Sequence, residues 1–305
     1  MKMKFFFALC FALAATGAQG QIYIDSYRFG AAASTALLLD DYPNATGAWS
    51  LRKLRAAMGD SCIQVRNATT TRTFVIGFVN NYLDTIRLKD SCGVGVNCFI
   101  TTWYDQSGNA RNLTQTTDAN QPQIISNGAI LSIDGQASLS FDGTNDFLSG
   151  IAMSNYITNS TFTSFALAYI DTITTNNIDT WTNDAIFSNT DGFIGAHLKR
   201  NPNRYFIYNY DTNDDNASTD INTDQEYIFH MRHESGVLYG NINNDSEISV
   251  NSGNTGGIAS TMSVGRATTS PFTDLNIKEL IFWNTAQTGN ISGIRSHINN
   301  FYGIY

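Results

Sequence analysis

The stretch that decides the fold is Phe99-Ile-Thr-Thr-Trp-Tyr104, which runs directly into Asp105-Gln-Ser-Gly-Asn109. The first half combines aromatic and β-branched residues, the composition of a strand. The second half is rich in residues that form turns, because Asp, Asn and Ser side chains bind nearby backbone amides. The segment therefore predicts a strand followed by a tight turn. We expect Asp105 to form an Asx-type turn with help from Ser107 and Asn109, and a sugar or calcium contact is its alternative role.

Short β-type runs recur along the chain, separated by clusters of Asn, Asp and Gly, which is typical of a many-stranded sandwich or barrel. Besides the run above, they cover 63–66, 74–78, 137–141, 162–170, 185–187, 193–198, 204–210, 227–232, 237–242, 261–264 and 275–283.

Two helices are expected as exceptions, because their apolar residues recur three and four positions apart. The first covers 50–57. The second lies near the C-terminus, where Ile291, Ile294 and Ile298 form an apolar stripe and Gly303 supplies a stop signal. We expect the second helix to bury this stripe against the edge of the sandwich.

The polarity of the chain comes from uncharged side chains. Only 14% of the 305 residues are charged, and 24 are Gly, whereas about 25% charge is usual for a soluble domain. The abundant Asn, Thr and Gly are poor helix formers, so the composition argues against an all-α fold. The net charge of −8 argues against nucleic acid as a partner, because phosphate binding needs clustered Lys and Arg.

Residues 1–20 have the pattern of a secretory signal peptide. Lys2 and Lys4 precede the apolar run from Phe5 to Ala15, and a small-x-small cleavage site follows. This run is shorter than the roughly 20 apolar residues that a membrane-spanning helix needs. We expect cleavage to leave 21–305 as one domain with no membrane span and a charge of −10, because two lysines are lost from −8. The product would be secreted, periplasmic or located at the cell surface.

Export changes what the cysteines imply. Cys10 would leave with the signal peptide. Cys92 and Cys98 enclose the flexible loop Gly-Val-Gly-Val-Asn and could form a disulfide in an oxidising compartment. We expect Cys62 to be a buried small hydrophobe, because three thiols at this spacing fit no zinc site.

Two segments resemble a known family. The first is 62–78, and the second is Cys92-Gly-Val-Gly-Val-Asn-Cys98, which continues into Thr102-Trp-Tyr-Asp-Gln-Ser-Gly-Asn109 and Asn112-Leu-Thr-Gln115. Together they resemble the catalytic domain of fungal-type α-L-arabinofuranosidase B, a lectin-like β-sandwich. The resemblance is strong over 49–148. It implies an all-β, concanavalin A-like jelly-roll sandwich with a short C-terminal helix.

The Trp-Tyr-Asp-Gln-Ser-Gly-Asn block is also similar to that of laminin-G-like, concanavalin-type domains in bacterial surface proteins and phage virion proteins. Those domains also show a motif like Phe141-Asp-Gly-Thr-Asn-Asp146 and an ending like Glu279-Leu-Ile-Phe-Trp-Asn284 followed by a helix. The resemblance supports the disulfide between Cys92 and Cys98. It does not imply activity, because function depends on the site and not on the fold.

The carboxylates of the arabinofuranosidase family have no counterpart at the matching positions. The family nucleophile is a Glu in a Gly-x-x-Glu-Ala segment. The best match in this chain is Gly192-Phe-Ile-Gly-Ala196, in which Gly195 stands in place of that Glu. Ile186 and Phe187 replace two adjacent cysteines of the family's sugar pocket, and Arg266 lies in the segment that should hold the acid. A retaining glycosidase needs two carboxyl groups across the scissile bond. We therefore expect no catalytic residues.

Other candidate catalytic groups are also discounted. His230 and His233 are three apart on a predicted strand and face opposite sides. We expect both of them, together with His197 and His297, to be surface or half-buried residues. Glu226 and Glu234 flank the same strand, but about 26 Å of extended chain separates them. They are too far apart to act on one bond.

A binding function would use aromatic rings for stacking and amides for hydroxyl contacts. Trp181, Tyr208 and Tyr210 are the candidates, together with Asp105. The alternative, that these rings fill the core, stays open. The adjacent stretch 211–220 is expected to be a solvated loop, because it lacks the Gly and the bidentate Glu of an EF-hand.

Asp142 and Asp146 are expected to form a hairpin turn, and they are candidate ligands for a structural Ca²⁺. No other cofactor is required. The sequence thus predicts a secreted, non-catalytic lectin-like module that binds carbohydrate or a cell-surface glycan or serves in adhesion. The alternatives are an arabinofuranosidase-like glycoside hydrolase acting on arabinose-containing polysaccharide and a phage virion or appendage structural protein.

Overall fold

Strands dominate the protein, as the recurring β-type runs predict. The computed structural model describes residues 36–158, 160–174, 184–191, 194–200, 202–209, 215–253, 258–268 and 272–305. The signal peptide predicted for 1–20 lies outside the described residues, as do Trp181 and Tyr210.

The strands of the first half of the chain are short. They are β1 (Gly47–Ser50), β2 (Ile63–Asn67), β3 (Thr73–Ile76), β4 (Phe78–Val79), β5 (Tyr82–Leu83), β6 (Cys98–Trp103), β7 (Leu113–Thr114), β8 (Gln123–Ser126), β9 (Ala129–Ile130), β10 (Ser132–Ile133), β11 (Gln136–Ala137) and β12 (Leu139–Asp142).

The second half contains the long strands. They are β13 (Leu148–Ala152), β14 (Phe162–Thr172), β15 (Asp184–Asn189), β16 (Ile194–Lys199), β17 (Arg204–Asn209), β18 (Asp215–Asp220), β19 (Gln225–Glu234), β20 (Val237–Ile242), β21 (Ile248–Asn251), β22 (Thr261–Val264) and β23 (Asp274–Trp283). The helices are α1 (Leu38–Asp41), α2 (Thr85–Cys92) and α3 (Ile291–Tyr302), with two 3-10 turns at Asp118–Asn120 and Met153–Asn155.

The strands pair in two antiparallel runs. In the first, β23 pairs with β1 and β12 on one side and with β14 on the other, and β19, β20 and β21 follow. The second run is β3–β2–β6–β7–β13–β22–β15–β16–β17–β18. Strand β8 pairs with both β6 and β12 and joins the two runs.

The result is a single sheet that is nearly closed. Nineteen of the described strands belong to it. At the far ends of the two runs, β20 lies so close to β17 that a Cβ on Gly240 would be 2.5 Å from Ile207 Cγ2. The all-β class and the C-terminal helix are confirmed. The expected pair of separate sandwich sheets differs from this arrangement, because β8 connects them.

Two apolar clusters hold the fold together. The larger one lies between the two strand runs and includes the buried rings of Trp49, Trp103 and Phe282. The smaller one lies beneath α3, whose Ile294 and Ile298 are fully buried. The predicted apolar stripe of this helix is therefore confirmed, but it packs on the face of β14, β19 and β23 and not on an edge of the sheet. The helix ends at Gly303, whose backbone lies in the left-handed region that Gly adopts without strain. Within the described residues, no helix is long and apolar enough to cross a membrane.

The helix predicted over 50–57 does not form, although Leu51 and Leu54 are buried. The backbone N–H of Leu51 donates to the carbonyl of Lys278, and that of Leu54 donates to the side chain of Gln106. Because neighbouring segments supply these partners, the backbone cannot close i to i−4 bonds.

Two elements are not among those predicted from the sequence. Helix α2 begins after Asp84, whose carboxylate accepts a hydrogen bond from the Arg87 backbone, and it ends at Gly93. Strand β18 occupies 215–220, so the prediction of a solvated loop over 211–220 is wrong for this part. Antiparallel pairing with β17 extends the hairpin through these residues; 211–214 lie outside the described residues.

Candidate functional site

The Trp-Tyr-Asp-Gln-Ser-Gly-Asn turn is centred on Asp105, which is buried. One oxygen accepts hydrogen bonds from the backbone N–H groups of Ala48 (2.9 Å) and Ser107 (2.8 Å). The other accepts from the Ser107 hydroxyl (2.8 Å) and the Arg111 backbone (3.0 Å). The carboxylate therefore forms an Asx-type turn and fastens β1 to it. A ligand contact by Asp105 stays a prediction.

Gln106 continues this structural role. Its amide nitrogen donates to the carbonyls of Ser50 (2.8 Å) and Arg52 (3.0 Å), and its oxygen accepts from the Leu54 backbone (2.8 Å). The side chain is fully buried. It satisfies the backbone of the irregular segment after β1, which positions Arg52 for the contacts described below.

The candidate calcium site is a turn between β12 and β13. The expected hairpin does not form, because β12 pairs with β23 and β8 whereas β13 pairs with β22 and β7. One Asp142 oxygen accepts from the backbones of Thr144 (2.8 Å) and Asn145 (3.2 Å), and Asp146 accepts from the Asp142 backbone (3.2 Å). Burial, reinforced by the charge of Asp142, raises the pKa of Asp146 to about 7. In the described parts of the chain, no three His, Cys, Asp or Glu side chains converge to hold a metal ion. Calcium binding by the two carboxylates stays a prediction.

Gly195, which the resemblance places at the position of the family nucleophile, lies on β16, opposite Ser188 of β15 and Tyr208 of β17. A Cβ at this position would lie 2.6 Å from the carbonyl oxygen of Phe187, 2.7 Å from His197 Nε2 and 2.9 Å from Ser188 Cβ. Real Cβ contacts are essentially never shorter than 3.0 Å. The backbone of β15 and the imidazole of His197 occupy the space that a carboxylate side chain would need.

The three strand histidines are completely buried, so the expectation of surface or half-buried residues is wrong. Burial lowers the pKa of His197 to about 3, and its ring stacks on Phe206. Burial, with the charges of Arg295 and Arg232, also lowers the pKa of His230 to about 3. These two imidazoles are neutral near pH 7. His230 and His233 are buried on opposite faces of β19, because His233 stacks on Phe162 of the larger apolar cluster and His230 contacts Phe165 of the smaller one.

The other family positions also contain packed residues. Ile186 and Phe187 are buried, and the Phe187 ring contacts Phe282 edge-on at a centroid distance of 4.8 Å. Arg266 Nε donates to the Ser263 hydroxyl at 3.2 Å. Its guanidinium lies 3.5 Å from the centre of the Phe147 ring. A cation on an aromatic ring thus occupies the segment to which the resemblance assigns the family's acid.

Of the aromatic candidates, only Tyr208 falls on a described strand. Its backbone lies on β17 between Gly195 of β16 and Asn216 of β18. Trp181 and Tyr210 lie outside the described residues. Their roles as ligand-binding residues stay predictions.

The sequence analysis missed a buried charged cluster on β23. Ile277 pairs with Ala168 and Glu279 pairs with Leu167, so Lys278 is the extra residue of a β-bulge. The bulge brings two consecutive side chains to Tyr302 of α3. Lys278 Nζ lies 5.5 Å from the centre of that ring, and Glu279 accepts a hydrogen bond from its hydroxyl. The two adjacent charges before the apolar run 280–283 were the available signal.

Each carboxylate of this cluster is paired with a cation. Glu279 binds Arg52 through two bonds of 2.7 and 2.9 Å, and Lys278 Nζ lies 2.7 Å from Glu226. Burial raises the pKa of Glu226, and the charge of Lys278 opposes this shift. All four side chains are less than a tenth exposed. The cluster fixes the position of Arg52 and offers no open carboxylate pair to a substrate.

Solved arabinofuranosidases share this fold. An arabinofuranosidase complexed with arabinofuranosyl-α-1,2-xylobiose matches with a TM-score of 0.57 and 15% identity. A mutant of a GH54 α-L-arabinofuranosidase, soaked with 4-nitrophenyl α-L-arabinofuranoside, matches with a TM-score of 0.59 and 16% identity. Each match covers 83% of this chain and 62% of the other.

This chain therefore spans about three fifths of the length of those structures. No protein-family model and no curated protein matches its sequence. At identities of 15–16%, these structural matches establish a shared fold only. They confirm the arabinofuranosidase-like resemblance at that level, and the link to concanavalin-type and laminin-G-like domains stays a prediction. The disulfide between Cys92 and Cys98 and the burial of Cys62 are confirmed.

Proposed function

We propose that this protein is an exported glycan-binding protein with an arabinofuranosidase-like fold and without hydrolytic activity at the family position. The supporting observation is the packing around Gly195, where Phe187 and His197 leave no room for a nucleophile. Arg266, held on the Phe147 ring, is an additional obstacle to acid catalysis nearby. The proposal of export, to the cell surface or beyond, depends on the signal-peptide pattern of 1–20.

The second candidate is an arabinofuranosidase-like glycoside hydrolase that acts on arabinose-containing polysaccharide. The fold neighbours are themselves arabinofuranosidases, which supports this function more directly than binding alone. It requires an acid and a nucleophile at positions other than those of the family. Asp146 is the first residue to test, because its pKa of about 7 suits a proton donor near neutrality.

One experiment separates the two candidates. The purified protein is incubated with 4-nitrophenyl α-L-arabinofuranoside and with arabinan, and the same preparation is applied to a glycan array. We expect glycan binding without release of nitrophenol or arabinose. Turnover that is abolished in Asp146→Asn, or in another single carboxylate variant, would contradict the proposal and establish the hydrolase. The absence of both binding and turnover would contradict both candidates.

A further inference from the structure

A pocket of about 350 Å³ lies between the β4–β5 hairpin, the segment after β1 and helix α3. Its lining includes Arg52, Lys53, Tyr82, His297 and Phe301. The volume falls within the range of roughly 300–1,000 Å³ typical of small-molecule sites. None of the lining residues belongs to the strands that carry the family positions. The pocket is therefore a separate candidate site.

Hydrogen bonds hold the hairpin wall in place. Asn80 and Asn81 both have positive φ, which is the backbone of a tight two-residue hairpin turn. The Lys53 backbone donates to the carbonyl of Asn81 (2.8 Å), and that of Leu83 donates to the carbonyl of Leu51 (3.0 Å). The amides at the tip and the tyrosine beside them are thus positioned before any ligand arrives, which lowers the entropy cost of binding.

The pocket presents the groups that recognise a sugar ring. Tyr82 is 53% exposed, and its ring centre lies 5.0 Å from that of Phe301 at an interplanar angle of 30°. Asn80, Asn81 and Asn300 line the same pocket. A flat, accessible ring can stack on the apolar face of a pyranose, while amides exchange hydrogen bonds with its hydroxyl groups.

The charge of the pocket is opposite to that of the whole protein. Arg52 and Lys53 line it, and the described lining contains no Asp or Glu, whereas the chain carries a net charge of −8. The charge of Arg52 is balanced by Glu279. Lys53 Nζ lies 3.7 Å from Asp60, whose carboxylate is 92% exposed, and so loose an ion pair leaves the ammonium available to a ligand. Such a pocket favours an anion.

We propose that this pocket binds an acidic saccharide, a pyranose ring bearing a carboxylate such as a uronic acid. Tyr82 stacks on the ring, Asn80 and Asn81 bind hydroxyl groups, and Lys53 pairs with the carboxylate. Arg52, whose charge is balanced by Glu279, forms a fixed part of the pocket wall. The inference depends on the proposed glycan-binding function and gives it a location and a ligand class.

The test is calorimetric titration of the purified protein with an oligogalacturonate and with a neutral arabino-oligosaccharide of equal length. We expect the acidic sugar to bind more tightly, and this preference to weaken at 0.5 M NaCl, because salt screens exposed charges. Tyr82→Ala and Lys53→Gln should each weaken acidic-sugar binding about tenfold.

Matched controls are Tyr305→Ala, in which a tyrosine of similar exposure (51%) is removed outside the pocket, and Lys89→Gln on α2. Both should bind like the unaltered protein. Thermal melts establish that all four variants are folded.

The possible failures can be told apart. Neutral-sugar binding unaffected by Tyr82→Ala would overturn this inference and leave the proposed function standing. Equal affinity for both sugars, both lost in Tyr82→Ala, would keep the location and overturn the acidic class. Binding of neither sugar here, with none on the array, would overturn the proposed function as well.

Discussion

Substitution of Gly195 tests the argument against a nucleophile on β16. In Gly195→Ala, the new methyl group must avoid the Phe187 carbonyl, the His197 ring and the Ser188 side chain, all of which lie within 2.9 Å. The nearest of these atoms belongs to the backbone of β15, which pairs with β16 and with β22. It cannot move without disturbing both ladders.

The expected cost follows from this geometry. Overpacking of a well-packed interior costs about 1–3 kcal/mol, and we expect the upper end because a backbone atom and not a flexible side chain is in the way. At roughly 2–4 °C per kcal/mol, the melting temperature should fall by about 6–12 °C. Gly195→Glu should be worse, because it adds a carboxylate with no room for a compensating partner, and it should not gain arabinofuranosidase activity.

The assay is urea unfolding followed by the fluorescence of the buried tryptophans, with Gly289→Ala as the matched control. A methyl group at Gly289 would meet nothing within 4 Å, so its unfolding midpoint should stay close to that of the unaltered protein. If Gly195→Ala unfolds at the same midpoint as this control, the space around Gly195 is open and the argument fails. Hydrolysis gained by Gly195→Glu would refute it more directly.

Three further predictions concern titration and thiol chemistry. The raised pKa of Asp146, about 7 against a reference of 3.8, means that the folded state holds a proton that the unfolded state releases, so the free energy of unfolding should fall from pH 4 to pH 7. In urea unfolding at pH 4.5 and 7.5, the midpoint of Asp146→Asn should therefore change less between the two pH values than that of the unaltered protein. An equal change in both proteins would contradict this prediction. Removal of the Cys92–Cys98 disulfide by the double alanine variant should cost about 2 kcal/mol in the same assay, as expected for a short loop, and an unchanged midpoint would argue against the bond. Burial raises the pKa of the Cys62 thiol, so an alkylating reagent should label it only after unfolding, and rapid labelling of the native protein would contradict its burial.

The sequence predicts the strands well, because their apolar residues face a core that the folded protein contains. The runs over 237–242 and 261–264 match β20 and β22 residue for residue. The helix expected over 50–57 fails for a definite reason. The spacing of Leu51 and Leu54 correctly indicates that both side chains are buried. It does not indicate that the side chain of Gln106, distant in sequence, forms hydrogen bonds with the backbone of this segment.

The candidate site was harder to predict, because it depends on pairing register. A regular strand would send Lys278 and Glu279 to opposite faces. The bulge against β14 brings both to Tyr302, and no periodicity in the sequence indicates a bulge. The pocket beside Arg52 likewise forms because the hairpin tip at Asn80 and Asn81 packs against the segment after β1. This contact is not evident from the sequence.

The distribution of charge is a further argument for the proposal that this arabinofuranosidase-like fold does not hydrolyse glycosides. A glycosidase must keep two carboxyl groups open to substrate at a distance set by its mechanism. Here Glu226 and Glu279 each form a buried ion pair with a cation of the protein. The strand positions that the resemblance assigns to the family's site are filled by a neutral imidazole at His197 and by the backbone around Gly195. These contacts support the proposal that the protein binds glycans without cleaving them.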